Sequence, residues 1–284
     1  MTRAGSVPED RKGEARRKPE VAIRVASAVV LAALALGATI FSPWTFLILV
    51  MAGGVIVAWE WGRLTRGNGF DGTAVVAGVS VAAIAVFVSL GRPDFALFVF
   101  TAACIAIGLT AATGRAGWSL AGLAYAALPA FALVWLRGDP ALGAAAVLYL
   151  FAVAWTTDTA SYAAGRLIGG PKLAPRISPK KTWSGFIIGA LAPALVGYAF
   201  AVALKGTSPW RLALVSVALA LACQMGDLVE SWVKRRFGAK DMSQMIPGHG
   251  GLLDRIDGLL FAAILAALIA LRDPANPGRG LLIW

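Results

Sequence analysis

The sequence predicts an all-α, polytopic integral membrane protein with about nine transmembrane helices and a cytoplasmic N-terminus. Three observations carry this. Of 284 residues, 58% are hydrophobic and only 14% charged, with mean hydropathy +0.74. The apolar residues come in runs of roughly 20, the length an α-helix needs to cross about 30 Å of hydrocarbon. Lys and Arg gather in alternate gaps between those runs.

Residues 1–22 are polar, mixed in charge and rich in Arg and Lys, which predicts a disordered basic cytoplasmic tail. The run that follows is longer than a signal h-region and lacks a small-residue cleavage site, so it is expected to stay as the first span. Apolar runs then place spans near 23–41, 44–62, 73–90, 95–113, 117–136, 142–165, 183–204, 210–232 and 254–272. An even count would move the C-terminus to the other side. With the N-terminus inside, about 20 of the 26 Lys and Arg fall in cytoplasmic segments.

Organisation follows from the gaps. Residues 23–140 form N-terminal transmembrane helices, and 141–272 a catalytic membrane region with two cytoplasmic loops, Arg166 to Lys181 and Lys234 to about Gly251. Residues 273–284 are a C-terminal tail. No internal repeat or separate soluble domain is visible. The net charge of +11 sits between apolar runs and not on one soluble face, which excludes nucleic acid and favours lipid headgroups and phosphates. Cys104 and Cys223 each lie inside an apolar run and are expected to be packing residues.

Six acids fall inside spans or at their ends: Glu60, Asp158, Asp227, Glu230, Asp254 and Asp257. A carboxylate in a span costs roughly 2.5–3.5 kcal/mol, so each needs a cation, a wet cavity or a partner. Asp227 and Glu230 are three apart, as are Asp254 and Asp257, which puts each pair on one helix face. Oxygen-only clusters suit Mg²⁺ and not zinc. Two plainer readings stay open: Asp227 or Glu230 paired with Lys234 or Arg235, and Asp254 simply opening a helix.

Phosphate-type donors surround these acids: Lys234, Arg235 and Lys240 in the later loop, and Ser178, Lys180, Lys181 and Thr182 in the earlier one. Gly248, Gly250 and Gly251 would let backbone N–H groups approach an anion. Arg236 and Lys172 are explained by topology alone. His249, the single histidine, suits substrate contact or a turn equally.

Ser231 to Asp257 reads SWVKRRFGAKDMSQMIPGHGGLLDRID, which resembles the signature of the phosphatidate cytidylyltransferase family. It comprises Ser231, Lys234-Arg235, Lys240-Asp241, Ser243, Pro247, His249-Gly250-Gly251, Asp254-Arg255 and Asp257. A second stretch is similar too: Asp158, Ser161-Tyr162, Gly165-Arg166 and Ile177 through Trp183. One departure is Ser184, where family members usually carry a glutamate. The resemblance covers roughly residues 150–260; the earlier spans agree only in being apolar.

The resemblance implies a homodimeric helical membrane protein that depends on Mg²⁺, with a second cation left open. Its reaction would be CTP plus phosphatidic acid giving CDP-diacylglycerol and pyrophosphate; the Lys and Arg distribution puts this at the cytoplasmic face, and a compact chain suits a bacterial inner membrane. Asp227, Asp254 and Asp257 fall where the family's metal-binding acids are expected, with Lys234, Arg235 and Lys240 as catalytic cations. Asp158, Ser178, Lys180, Lys181, Thr182, Ser231, His249, Gly250, Gly251 and Arg255 would contact substrate. The rivals are another CTP-dependent lipid-phosphate cytidylyltransferase, a polyprenol kinase and an ion-coupled transporter. The last is disfavoured because the polar residues gather at one face and not near the midplane.

Overall fold

Eleven helices and one small hairpin are present in the computed structural model, which describes residues 9–110, 115–247 and 250–284, with side chains from Ile23 onward apart from Thr110. The helices are α1 (Glu9–Phe41), α2 (Pro43–Arg66), α3 (Gly72–Ser89), α4 (Pro93–Thr110), α5 (Ala116–Arg137) and α6 (Gly143–Leu167). Strands β1 (Lys172–Ala174) and β2 (Ser178–Thr182) follow. Then come α7 (Trp183–Leu191), α8 (Pro193–Leu204), α9 (Pro209–Arg236), α10 (Leu253–Ala270) and α11 (Pro277–Leu282).

The chain is mostly helical, and each expected apolar run falls on helix. Among the described residues, six helical segments are long and apolar enough to cross a membrane: Ile23–Phe41, Pro43–Arg66, Gly72–Ser89, Ala116–Arg137, Trp183–Leu204 and Pro209–Arg236. Pro93–Leu109 is a shorter apolar helix. The seventh expected span is divided into α7 and α8: Ala192 keeps helical angles (φ −57°, ψ −38°), but Pro193 has no N–H to donate. Large apolar side chains such as Val29, Leu34, Leu195 and Val202 stand exposed, as they do where lipid is the solvent.

Two features differ from the sequence expectation. Helix α1 starts at Glu9, so the backbone of 9–22 is helical where a tail was expected; Glu, Arg, Lys and Ala are good helix formers. Residues 1–8 lie outside the described residues. The fold is also not wholly α. Residues 172–182 pair as an antiparallel hairpin, Lys172 opposite Thr182 and Ala174 opposite Ser178, with an irregularity between Lys172 and Ala174. Thr182 ends the hairpin and caps α7, its hydroxyl accepting from Gly185 N at 3.2 Å.

The packing that matters for the site is the seam of α9 on α10, with α5 behind α10 and α6 beside both. Small residues let the two helices close. A side chain at Gly226 would meet the Asp257 carbonyl at 2.5 Å and the Phe261 ring at 3.0 Å, and one at Gly258 would meet the Cys223 carbonyl at 3.1 Å. Cys223 is a buried free thiol within this seam. Gly226→Val is therefore expected to destabilise the protein by about 1–3 kcal/mol, seen as an earlier thermal melt in detergent; a melt matching the parent would refute close packing here.

Candidate active site

The end of α6, the hairpin, the second half of α9 and the first turns of α10 frame one polar cavity of about 650 Å³. Asp158 comes from α6, Lys180, Lys181 and Thr182 from β2, Asp227 and Lys234 from α9, and Asp254, Arg255 and Asp257 from α10. These nine sequence-predicted residues line the same space. Glu230, Asp241, Ser161 and Gln224 line it as well. The seam at Gly226 and Gly258 is what lets neighbouring helices present Asp227 and Asp257 together.

Other expected residues lie off the lining. Ser178 is half-buried at the start of β2, and Ser231 is half-buried on α9. Arg235 is exposed and spends its guanidinium on backbone, donating to Ile177 O at 3.4 Å and Ala239 O at 3.1 Å. It thus ties α9 to the hairpin. Lys240 is exposed. Gly250 takes φ +87°, and its carbonyl accepts from Ile246 N at 2.8 Å, closing the loop into a bridge. His249 lies outside the described residues.

The charges inside are paired unequally. Lys181 Nζ meets Asp227 Oδ2 at 2.7 Å. Lys234 Nζ sits between Glu230 Oε2 at 2.6 Å and Asp254 Oδ1 at 2.7 Å. The other oxygen of Asp254 accepts Met242 N at 2.9 Å and Gly251 N at 2.8 Å. Among the described residues Asp254 is therefore engaged by three protein donors, and Asp257 accepts from Gly258 N at 2.8 Å. Of the two plainer readings, the pairing of Glu230 with Lys234 is present, and Asp254 does stand in the first turn of α10.

A hard divalent cation fits this donor set. Asp158, Asp227 and Asp257 reach one cavity from three helices, and their like charges act on one another. Among the described residues no three His, Cys, Asp or Glu side chains already close on one point. Mg²⁺ is commonly held by only one or two carboxylates and completed by substrate phosphate. Asp227 and Asp257 present oxygens to the cavity; Asp254 would reach the same ion only if Lys234 gave up its Oδ1.

Beside the polar cavity lies an apolar one of about 410 Å³, walled by α1, α2, α5, α6 and α10 through residues such as Leu31, Val50, Ala130, Trp155 and Leu259. The two share Asp158, Arg255 and Asp257. Sequence reasoning missed this junction, because the apolar wall comes from helices whose sequence shows only hydrophobicity. It also left Glu60 outside the site. Ser184, at the family's glutamate position, donates to the Gly169 carbonyl and shares a hydrogen bond with Thr182 at 3.0 Å, so it holds the hairpin to α7.

The fold is that of a helical membrane protein in which carboxylates and lysines adjoin an apolar chamber. The chain belongs to the cytidylyltransferase family, whose model matches residues 22–271. It is similar to the phosphatidate cytidylyltransferase of Brucella suis biovar 1 (strain 1330), 41% identical over 247 residues, 86% of this chain and 91% of that protein. The Mycobacterium leprae (strain TN) protein of the same name is 45% identical over 127 residues, 45% of this chain and 41% of that one. That of Staphylococcus haemolyticus (strain JCSC1435) is 43% identical over 127 residues, 44% of this chain and 49% of that one.

Proposed function

We propose that the protein is a phosphatidate cytidylyltransferase: it joins CTP to phosphatidic acid, giving CDP-diacylglycerol and pyrophosphate for phospholipid synthesis. The observation that carries this is the meeting of a polar, acid-and-lysine cavity with an apolar one at Asp158, Arg255 and Asp257. One substrate is a water-soluble triphosphate and the other has a phosphate on an acyl chain. The junction offers each its own side.

In the proposed reaction a phosphatidate oxygen forms a bond to the α-phosphorus of CTP, the bond from that phosphorus to the bridging oxygen breaks, and pyrophosphate leaves with the electron pair. No general base is needed, because a phosphate monoester has a second pKa of about 6 and is already ionised. The enzyme's work is to hold two anions in line and offset their repulsion. Lys180 and Lys181 face the phosphates from β2, and Arg255 waits at the junction for the lipid phosphate. Thr182 and Ser178 orient the triphosphate from the hairpin, and Ser231, Arg235, Lys240, His249, Gly250 and Gly251 are the further substrate contacts that the family resemblance suggests. Asp227 and Asp257, with Asp254 as the third candidate, would hold Mg²⁺, which would supply positive charge against the phosphates and the leaving group.

The polar cavity is placed at the cytoplasmic face of an inner membrane, with nine spans and the N-terminus inside, on the strength of the Lys and Arg count. Homodimer formation rests on the family resemblance. The test is pyrophosphate release by detergent-purified protein with CTP, Mg²⁺ and phosphatidic acid, with ATP or diacylglycerol substituted in turn. Release requiring both CTP and phosphatidic acid, with a CDP-lipid product, is expected. Phosphorylation of a lipid alcohol, with a nucleoside diphosphate and no pyrophosphate as the other product, would replace the proposal with a kinase.

A further inference from the structure

We propose that Glu60 is a positioning residue for this reaction, holding from α2 the segment that carries Asp254 and Asp257. Its side chain is fully buried, at 0% exposure. Oε1 accepts Ser243 Oγ at 2.6 Å and Leu252 N at 2.9 Å, and Oε2 accepts Leu253 N at 2.7 Å. The two amides belong to the opening of α10, where N–H groups have no intrahelical partner and the helix dipole favours a negative charge. A carboxylate is the side chain that satisfies three donors at once here.

The fit is tight. A Cβ on Gly251 would overlap the Glu60 carboxylate, so the loop passes against it only as glycine. From the other side Asp254 accepts Met242 N and Gly251 N. The two buried carboxylates thus clamp Met242, Ser243 and Gly251 to Leu253 between them, and neither Glu60 nor Ser243 lines the polar cavity. The same helix supplies Gly53, Gly54, Ile56 and Val57 to the apolar cavity. Glu60 therefore fixes the wall of the apolar chamber to the helix bearing the acids, and acts through them without touching substrate.

The inference rests on the cytidylyltransferase reading, and its test separates the two. In Glu60→Gln an amide NH₂ replaces one acceptor and confronts a donor. Expected is a kcat lower by about ten- to a hundredfold, as for a misplacement remote from the chemistry, with KM for CTP and phosphatidic acid each within about threefold. Amide hydrogen exchange should rise across 242–253 while α5 and the middle of α9 stay protected. Parent-like kcat, or unchanged exchange in 242–253, would overturn the proposal. Should Glu60→Gln not fold, Ser243→Ala removes one of the three donors to Glu60, along with the bond that Ser243 Oγ accepts from Met245 N at 3.2 Å: faster exchange at Leu252 and Leu253 is expected, and parent-like exchange there overturns the clamp. A parent protein releasing no pyrophosphate would refute the reaction, while the exchange comparison would still judge Glu60.

Discussion

Asp227→Asn is expected to lower CDP-diacylglycerol formation by about two to three orders of magnitude, the scale of removing one group that stabilises transition-state charge, while the protein stays folded. The side chain is 38% exposed, lines the polar cavity, and pairs with Lys181. An amide of the same shape disturbs no packing there. What it removes is a negative charge aimed where two phosphates and a cation must meet.

Two roles for Asp227 can be told apart. If it served only to orient Lys181, then Lys181→Met and Asp227→Asn would cost the same, and the double variant no more than either. If it also holds Mg²⁺, the Asn variant loses more than the Met variant and needs more Mg²⁺ for half-maximal pyrophosphate release. A near-parent rate in Asp227→Asn, at any Mg²⁺ concentration, removes Asp227 from the metal set.

How far the sequence exposed this site depends on the range of the interaction. Helices were legible because hydrophobicity repeated over roughly 20 residues is a local signal, and each run indeed falls on helix. The acid spacing on α9 and α10 was local too, and the cavity contains all four of those carboxylates. The hairpin was not legible: 169–182 is polar, interrupted by Gly169, Gly170, Pro171 and Pro179, and its pairing is short. Glu60 was visible only as a costly intramembrane acid. Its partners lie 183 to 193 residues away, where no periodicity reaches. Arg235 shows the limit for individual roles, since positive charge beside a candidate site did not reveal that it binds backbone of the hairpin.

Lys234 carries the second large effect, and it concerns stability before chemistry. Its side chain is 13% exposed, against 1% for Glu230 and 3% for Asp254, so one ammonium serves two nearly buried carboxylates. Glu230 leans on it most, because Oε1 of that carboxylate is buried with no hydrogen-bond partner among the described residues. Lys234→Met leaves both acids uncompensated, and removing one partner of a buried ion pair costs about 3–5 kcal/mol. A much earlier thermal melt in detergent is expected, together with loss of turnover. Glu230→Gln by itself should be tolerated, since it leaves Lys234 paired with Asp254 alone. Combining the two should recover part of the lost stability, because one of the stranded charges is gone, and the departure from additivity measures the coupling. If Lys234→Met melts like the parent but does not turn over, Lys234 acts on substrate phosphate and its two carboxylate contacts are incidental to the fold.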